Sequence, residues 1–310
     1  MAVNKKGIFF TFAAIALAIV IILSLNVYKT YEMREKADVI GVRVNTVNNF
    51  IKDVEQDLEK GLYIASFRAF ASMGEYIANE GKFIENIVGS FNELILNGTL
   101  NGQELGLMEE STFTDWVNKI AIQADKVDIK VAFTITDVSI NQTDPWSILI
   151  NSHINITVMD KKNTSSWKRG RDISARVSIE NFEDPLYIAN SIGRVTNAIV
   201  KTPITDFVNG NDVTNLLLHL NNSYYIESTT SPNFLMRLEG SLLNSSTGIE
   251  SLVNLGEFQA QGLAIKDRSA VDYIYFGTQS TTNYRINQTP SWFKLDSGHL
   301  EIYEVQNITI

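Results

Sequence analysis

Three histidines, His153, His219 and His299, are the residues with the widest chemical reach in this 310-residue chain. None has a second histidine or a carboxylate at the spacing that grips zinc, and no HExxH-type motif is present. His153 falls on the polar side of an alternating run and His299 in a turn, so both are expected at the surface. The adjacent pair Glu109-Glu110 does not share a face of any regular element and reads as a solvated acidic turn. No GxSxG elbow, P-loop or GxGxxG occurs. Cysteine is absent, which removes disulfides, thiol nucleophiles, Cys-ligated zinc and iron–sulfur clusters. These patterns point to a non-enzymatic protein without a metal or cofactor.

The spacing is richer in modification and binding signals. Asn-x-Ser/Thr acceptors for glycosylation stand at Asn97, Asn141, Asn155, Asn163, Asn221, Asn244, Asn287 and Asn307. A basic cluster, Lys161, Lys162, Lys168, Arg169 and Arg171, surrounds Trp167 on a chain whose formal net charge is −9. It is either a solvated hairpin tip or a partner-binding patch for an acidic surface polymer or subunit. Asp144-Pro145-Trp146 and Asp184-Pro185-Leu186-Tyr187 combine a side-chain acceptor with a preset φ and read as locks at strand boundaries. The acidic balance disfavours nucleic acid, whose phosphates it repels.

The elements that carry these residues begin with a membrane signal. Lys5, Lys6 and Gly7 precede an apolar run from Ile8 to Leu25 in which only Thr11 and Ser24 are polar. Roughly 18 residues at helical rise span about 27 Å, just enough for a bilayer core. The following Asn26-Val27-Tyr28-Lys29 lacks the small-residue pattern of a secretory cleavage site, so the helix is expected to stay in the mature protein. Lys29, Arg34 and Lys36 on the far flank oppose a simple orientation rule. A large body translocates largely regardless of charge, however, and the expected topology is a cytoplasmic N-terminus with an extracellular body.

No break separates the apolar run from an amphipathic continuation. Ile40, Val44, Val47, Ile51, Val54, Leu58, Leu62, Ala65, Ala69, Met73 and Ile77 recur at steps of three or four, one buried helical stripe. Gly41, Gly61 and Gly74 are candidate bend points. The stripe fits either a stalk docked on its own domain or a spine for packing subunits. Phe83–Leu96 and a stretch from Ser111 through Ala124 read as shorter helices.

Then the period becomes two. Val127 to Thr136, Ile148 to Val158 and Ile173 to Glu180 alternate apolar and polar, predicting a three-stranded antiparallel meander with one face under the helical stripe. Asp212–Leu220 reads as a short helix. Phe234–Leu238, Phe258–Ile265 and Val271–Phe276 read as strand-like runs, and Trp292–Tyr303 as a hairpin turned by Gly298. The expected class is α+β. Its divisions are 1–28 (leader and transmembrane helix), 29–80 (amphipathic helix), 81–203 (helices and meander) and 204–310 (a β-rich region).

Lys5-Lys6-Gly7 followed by Ile8-Phe9-Phe10 resembles the leader of archaeal type IV pilins with class III signals, which is cut after glycine. That resemblance implies cleavage between Gly7 and Ile8 and an apolar helix that first anchors the protein and then packs in a filament. Asp57-Leu58-Glu59-Lys60-Gly61-Leu62-Tyr63-Ile64-Ala65, Asp184-Pro185-Leu186-Tyr187 and Gly248-Ile249-Glu250-Ser251-Leu252-Val253 are similar to a family of archaeal single-span surface proteins. The resemblances imply a surface glycoprotein in structure assembly or adhesion, with the lipid bilayer and other pilin-like subunits or surface components as partners. Two alternatives stand beside it: a permanently anchored ectodomain that binds a ligand or partner, and an enzyme with carboxylates in the C-terminal half.

Overall fold

The computed structural model describes residues 5–161 and 166–310. It is an α+β protein whose chain divides into two compact units, residues 1–56 and residues 57–310. Helix α1, Lys5–Glu80, is one uninterrupted helix that supplies the described part of the first unit and opens the second. Gly41, Gly61 and Gly74 do not break it. In the first unit every residue from Phe9 to Thr46 is exposed. α1 is long and apolar enough to cross a membrane, and its most apolar window is wholly unburied.

In the second unit the predicted stripe becomes core. Leu58, Leu62, Ala65, Ala69, Met73 and Ile77 are at most 1% exposed. Phe70 stacks on Phe91 of α2 (Ile87–Asn97) with ring centroids 4.9 Å apart and meets Phe234 edge-on at 6.4 Å. Gly61 has a packing role rather than a bending one: a Cβ built there would sit 2.4 Å from the Trp116 indole of α3, Phe113–Lys126. The backbone can approach α3 that closely because there is no side chain between them. α3 starts on a reciprocal capping box, Thr112 with Asp115. Short β1 (Thr99–Leu100) and β2 (Gln103–Glu104) pair antiparallel between α2 and α3.

The meander forms as predicted. β3 (Ile129–Asp144), β4 (Ser147–Asp160) and β5 (Ser166–Ser178) make an antiparallel sheet in that order. Register slips between Ile135 and Asp137 keep the apolar set on one face, so that Ile135 lies opposite Ile154 and Val138 opposite Ser152. α3 and α2 pack on β3. The other face is wet, with Thr134, Asn155 and Gly170 in one row across the three strands.

After the sheet come short helices and further antiparallel strand pairs. The helices are α4 (Pro185–Ser191), α5 (Thr214–Asn221), α6 (Phe234–Leu238), α7 (Leu255–Ala260) and α8 (Asp272–Phe276). The pairs are β6 (Tyr225–Glu227) with β7 (Ile249–Ser251), and β8 (Asn283–Arg285) with β9 (Lys294–Asp296). Several expectations are corrected here. Phe234–Leu238 and Val271–Phe276 form the helices α6 and α8, and α7 takes the start of the Phe258–Ile265 run. α6 is initiated by Asn233, whose side chain accepts from the Met236 N–H, and four of its five residues (Leu, Met, Arg and Leu) are good helix formers. The Trp292–Tyr303 hairpin does not form either: β9 pairs backwards with β8. The chain after it closes in tight turns because Asp296 accepts from the Gly298 N–H at 3.0 Å and binds His299. The positive φ falls on Glu304 at 59°, not on Gly298.

Candidate functional site

A cluster of charged side chains is buried in the second unit. Asp184, the N-cap of α4, accepts from the Leu186 N–H at 2.8 Å, with Pro185 in the first turn. The Asp184-Pro185 step thus starts a helix rather than ending a strand. Its other carboxylate oxygen takes the Arg237 Nη1 at 2.5 Å and the Tyr225 hydroxyl at 2.7 Å. The same Nη1 reaches Asp272 Oδ2 at 2.9 Å, and the Arg237 Nη2 donates to the Ile249 carbonyl. Asp272 Oδ2 also accepts from the Ser251 amide at 3.0 Å and hydroxyl at 2.9 Å. Arg237, Asp184 and Asp272 are 0% exposed. Burial pushes the Asp272 carboxyl above the ordinary carboxylate range against the pull of Arg237, and the guanidinium stays charged between the two acids.

A second buried group adjoins it through Glu250, on β7 beside Ser251. His299 Nδ1 lies 2.8 Å from both oxygens of Asp296, and its Nε2 lies 3.4 Å from Glu250 Oε2 in an ion pair without hydrogen-bond geometry. Tyr303 donates to Glu250 Oε1 at 3.1 Å, and Ser269 donates to Asp296 at 2.8 Å. Burial alone would lower the imidazole pKa, but the carboxylates of Asp296 and Glu250 raise it to about 10. His299 is therefore a buried imidazolium, correcting the surface expectation. His219 differs: it is 0% exposed, packed edge-on to Phe207, and burial lowers its pKa to about 4. His153 lies on the wet sheet face as expected, with Nδ1 2.5 Å from Asp172.

Arg237 with Asp184 and Asp272, and His299 with Asp296 and Glu250, pair opposite charges away from water, which is an arrangement that holds elements together. Arg237 ties α6 to the start of α4, to α8 and to β7; His299 ties the C-terminal turns to β7 and β9. Among the described residues no group of three or more His, Asp or Glu could hold a metal ion.

An open feature does exist. A cleft of about 370 Å³ lies along α1 in the second unit. Its apolar wall is Phe67, Phe70, Phe182, Phe234 and Ile188, its α1 side is thinned by Ala71, Gly74 and Ala78, and Glu75 and Glu183 bring carboxylates to it. A Cβ added to Gly74 meets nothing within 4 Å, so the glycine leaves the space open. Burial raises the Glu183 carboxyl, with the charge of Asp184 adding to it and a Thr196 hydrogen bond opposing. Residue spacing does not reveal the cleft, because one edge of α1 meets residues scattered along the chain, Phe182, Glu183, Ile188, Thr196 and Phe234.

The predicted site residues distribute as follows. Gly7 and Ile8 lie in the first turns of α1. Asn97, Asn141, Asn155, Asn221, Asn244, Asn287 and Asn307 are all exposed, and Asn163 lies outside the described residues. The described members of the basic cluster are divided between the two faces of the sheet and the end of α3. Lys161 is held by the Asp125 carbonyl at 2.8 Å and by the carboxylates of Asp125 and Asp128. The register puts Trp167, Arg169 and Arg171 opposite Val158, Ile156 and Ile154 on the apolar face, and Lys168 opposite Thr157 on the wet one. Lys162 lies outside the described residues. Alternation along a strand sends neighbouring charges to opposite faces, which spacing alone could have indicated. Set against family models, curated proteins and solved structures, the chain matches none of them.

Proposed function

We propose that this chain is a non-enzymatic, membrane-anchored cell-surface protein of pilin-like build, acting in surface assembly or adhesion. The observation that carries the reading is the contrast along a single helix. From Phe9 to Leu25 α1 is apolar and wholly exposed, while from Leu58 to Ile77 one of its faces is core. Water does not tolerate the first stretch and hydrocarbon does. Lys5 and Lys6 favour a cytoplasmic N-terminus, and the exposed sequons suit an extracellular body. Ala13, Ala14, Ala16 and Ala18 would let the anchor approach another helix closely. The Lys-Lys-Gly step before Ile8 supports processing between Gly7 and Ile8.

Intact mass of the membrane-extracted protein tests this. Loss of the first seven residues is the expected result; a full-length mass in cells with an active leader peptidase removes the pilin-like assignment. The second reading, a permanently anchored ectodomain that binds a partner, is favoured by the cleft beside α1 and predicts the uncleaved mass.

A further inference from the structure

We propose that the cleft along α1 receives the Ile192–Arg194 corner of a second copy of this chain, each head engaging the other reciprocally. Ile192 is 75% exposed and holds φ at 56°, a left-handed conformation that a β-branched side chain rarely accepts. An exposed apolar group on a strained corner gains nothing for the isolated head. It does present a short, rigid apolar projection, followed two residues later by exposed Arg194.

The cleft has the inverse character. Its floor is aromatic and its rim carries Glu75 and Glu183, so it fits an apolar group with a cation next to it. Corner and cleft also adjoin on one surface. Ile188, in the helix that ends at this corner, lines the cleft. A Cβ on Gly193 would lie 3.7 Å from the carbonyl of Ala78, which lines it too. When a projection and its complementary hollow are neighbours, a two-fold axis between them places each projection in the partner's hollow, and the contact closes. Arg194 of each copy then faces the carboxylate rim of the other, which fixes orientation more than it adds affinity. The contact involves only the heads and does not rest on leader processing.

The absence of native cysteine makes the test clean. Two full-length variants, Ile192→Cys and Ala71→Cys, carry different tags and are mixed in detergent micelles under mild oxidation, after maleimide labelling shows both thiols reactive. A disulfide-linked heterodimer is expected, at least tenfold above a control pairing Ile192→Cys with Ser174→Cys on the wet sheet face. Adding Arg194→Glu should cut the yield about tenfold, and Glu75→Lys with Glu183→Lys in the other variant should restore it. Ile192→Gly should raise the melting temperature by relieving the left-handed strain while abolishing association of the otherwise unmodified chain. Equal cross-linking to Ser174→Cys, or no heterodimer between reactive thiols, overturns the proposal. So does a yield indifferent to Arg194→Glu.

Discussion

His299 and His219 are both shut away from water in the second unit, yet their environments move their protons in opposite directions. The carboxylates of Asp296 and Glu250 raise His299 to about 10, whereas the unfolded value is about 6.5. Its contribution to stability is therefore complete below pH 6.5 and declines as pH rises from there towards 10. Burial without a counter-charge lowers His219 to about 4. Its contribution is complete above pH 6.5 and declines as pH falls towards 4. Thermal melts are thus expected to be most stable near pH 6.5 as far as these two groups decide it. His299→Gln should flatten the alkaline limb and His219→Phe the acid limb; a variant profile parallel to the parent removes the assignment. Arg237→Met leaves two carboxylates buried without their cation and should cost about 3–5 kcal/mol in denaturant unfolding. Little of this was readable from residue types. A histidine in a polar-looking turn gives no sign that a carboxylate some fifty positions earlier, Glu250, will close over it. Asp184 announced a local turn role, and only the fold reveals its long-range one.

At the scale of elements, Gly61 and Gly74 look alike in sequence and differ in surroundings. Gly61→Ala would gain about 1 kcal/mol of helix propensity, but its methyl would overlap a rigid indole at 2.4 Å. Overpacking of that kind costs about 1–3 kcal/mol, so a net loss is expected. Gly74→Ala meets open space and should stabilise the head by up to about 1 kcal/mol; paired chemical denaturation curves check both signs. The long helix and the meander were legible because their periods of 3.6 and 2 persist over many residues, and the stripe from Leu58 to Ile77 sits in the core as its spacing demanded. α6 and α8 were not legible. Each is five residues long, too short for a helical period to register, and the Tyr, Ile, Tyr and Phe of α8 favour a strand in isolation. The reversed pairing of β9 with β8 was hidden for a related reason. Three-residue strands carry no alternation strong enough to name their partner.

For the whole molecule, the exposed apolar stretch of α1 and the folded second unit make separable demands on solvent. The full chain is expected in the detergent phase, while a chain lacking residues 1–56 should move to the aqueous phase and still unfold cooperatively, as near-ultraviolet circular dichroism would report. An insoluble or unstructured truncation would mean that the head depends on the removed helix. The three-stranded sheet has a further consequence at this scale. Its order makes β5 an outer strand, and an outer strand offers its unpaired amides and carbonyls as a template for another chain. Three cations of the basic cluster, Lys168, Arg169 and Arg171, are strung with Arg176 along that strand. Charged side chains along an outer strand disfavour its extension by another strand. Neutral replacements at these positions should shorten the lag before fibrils form at high protein concentration.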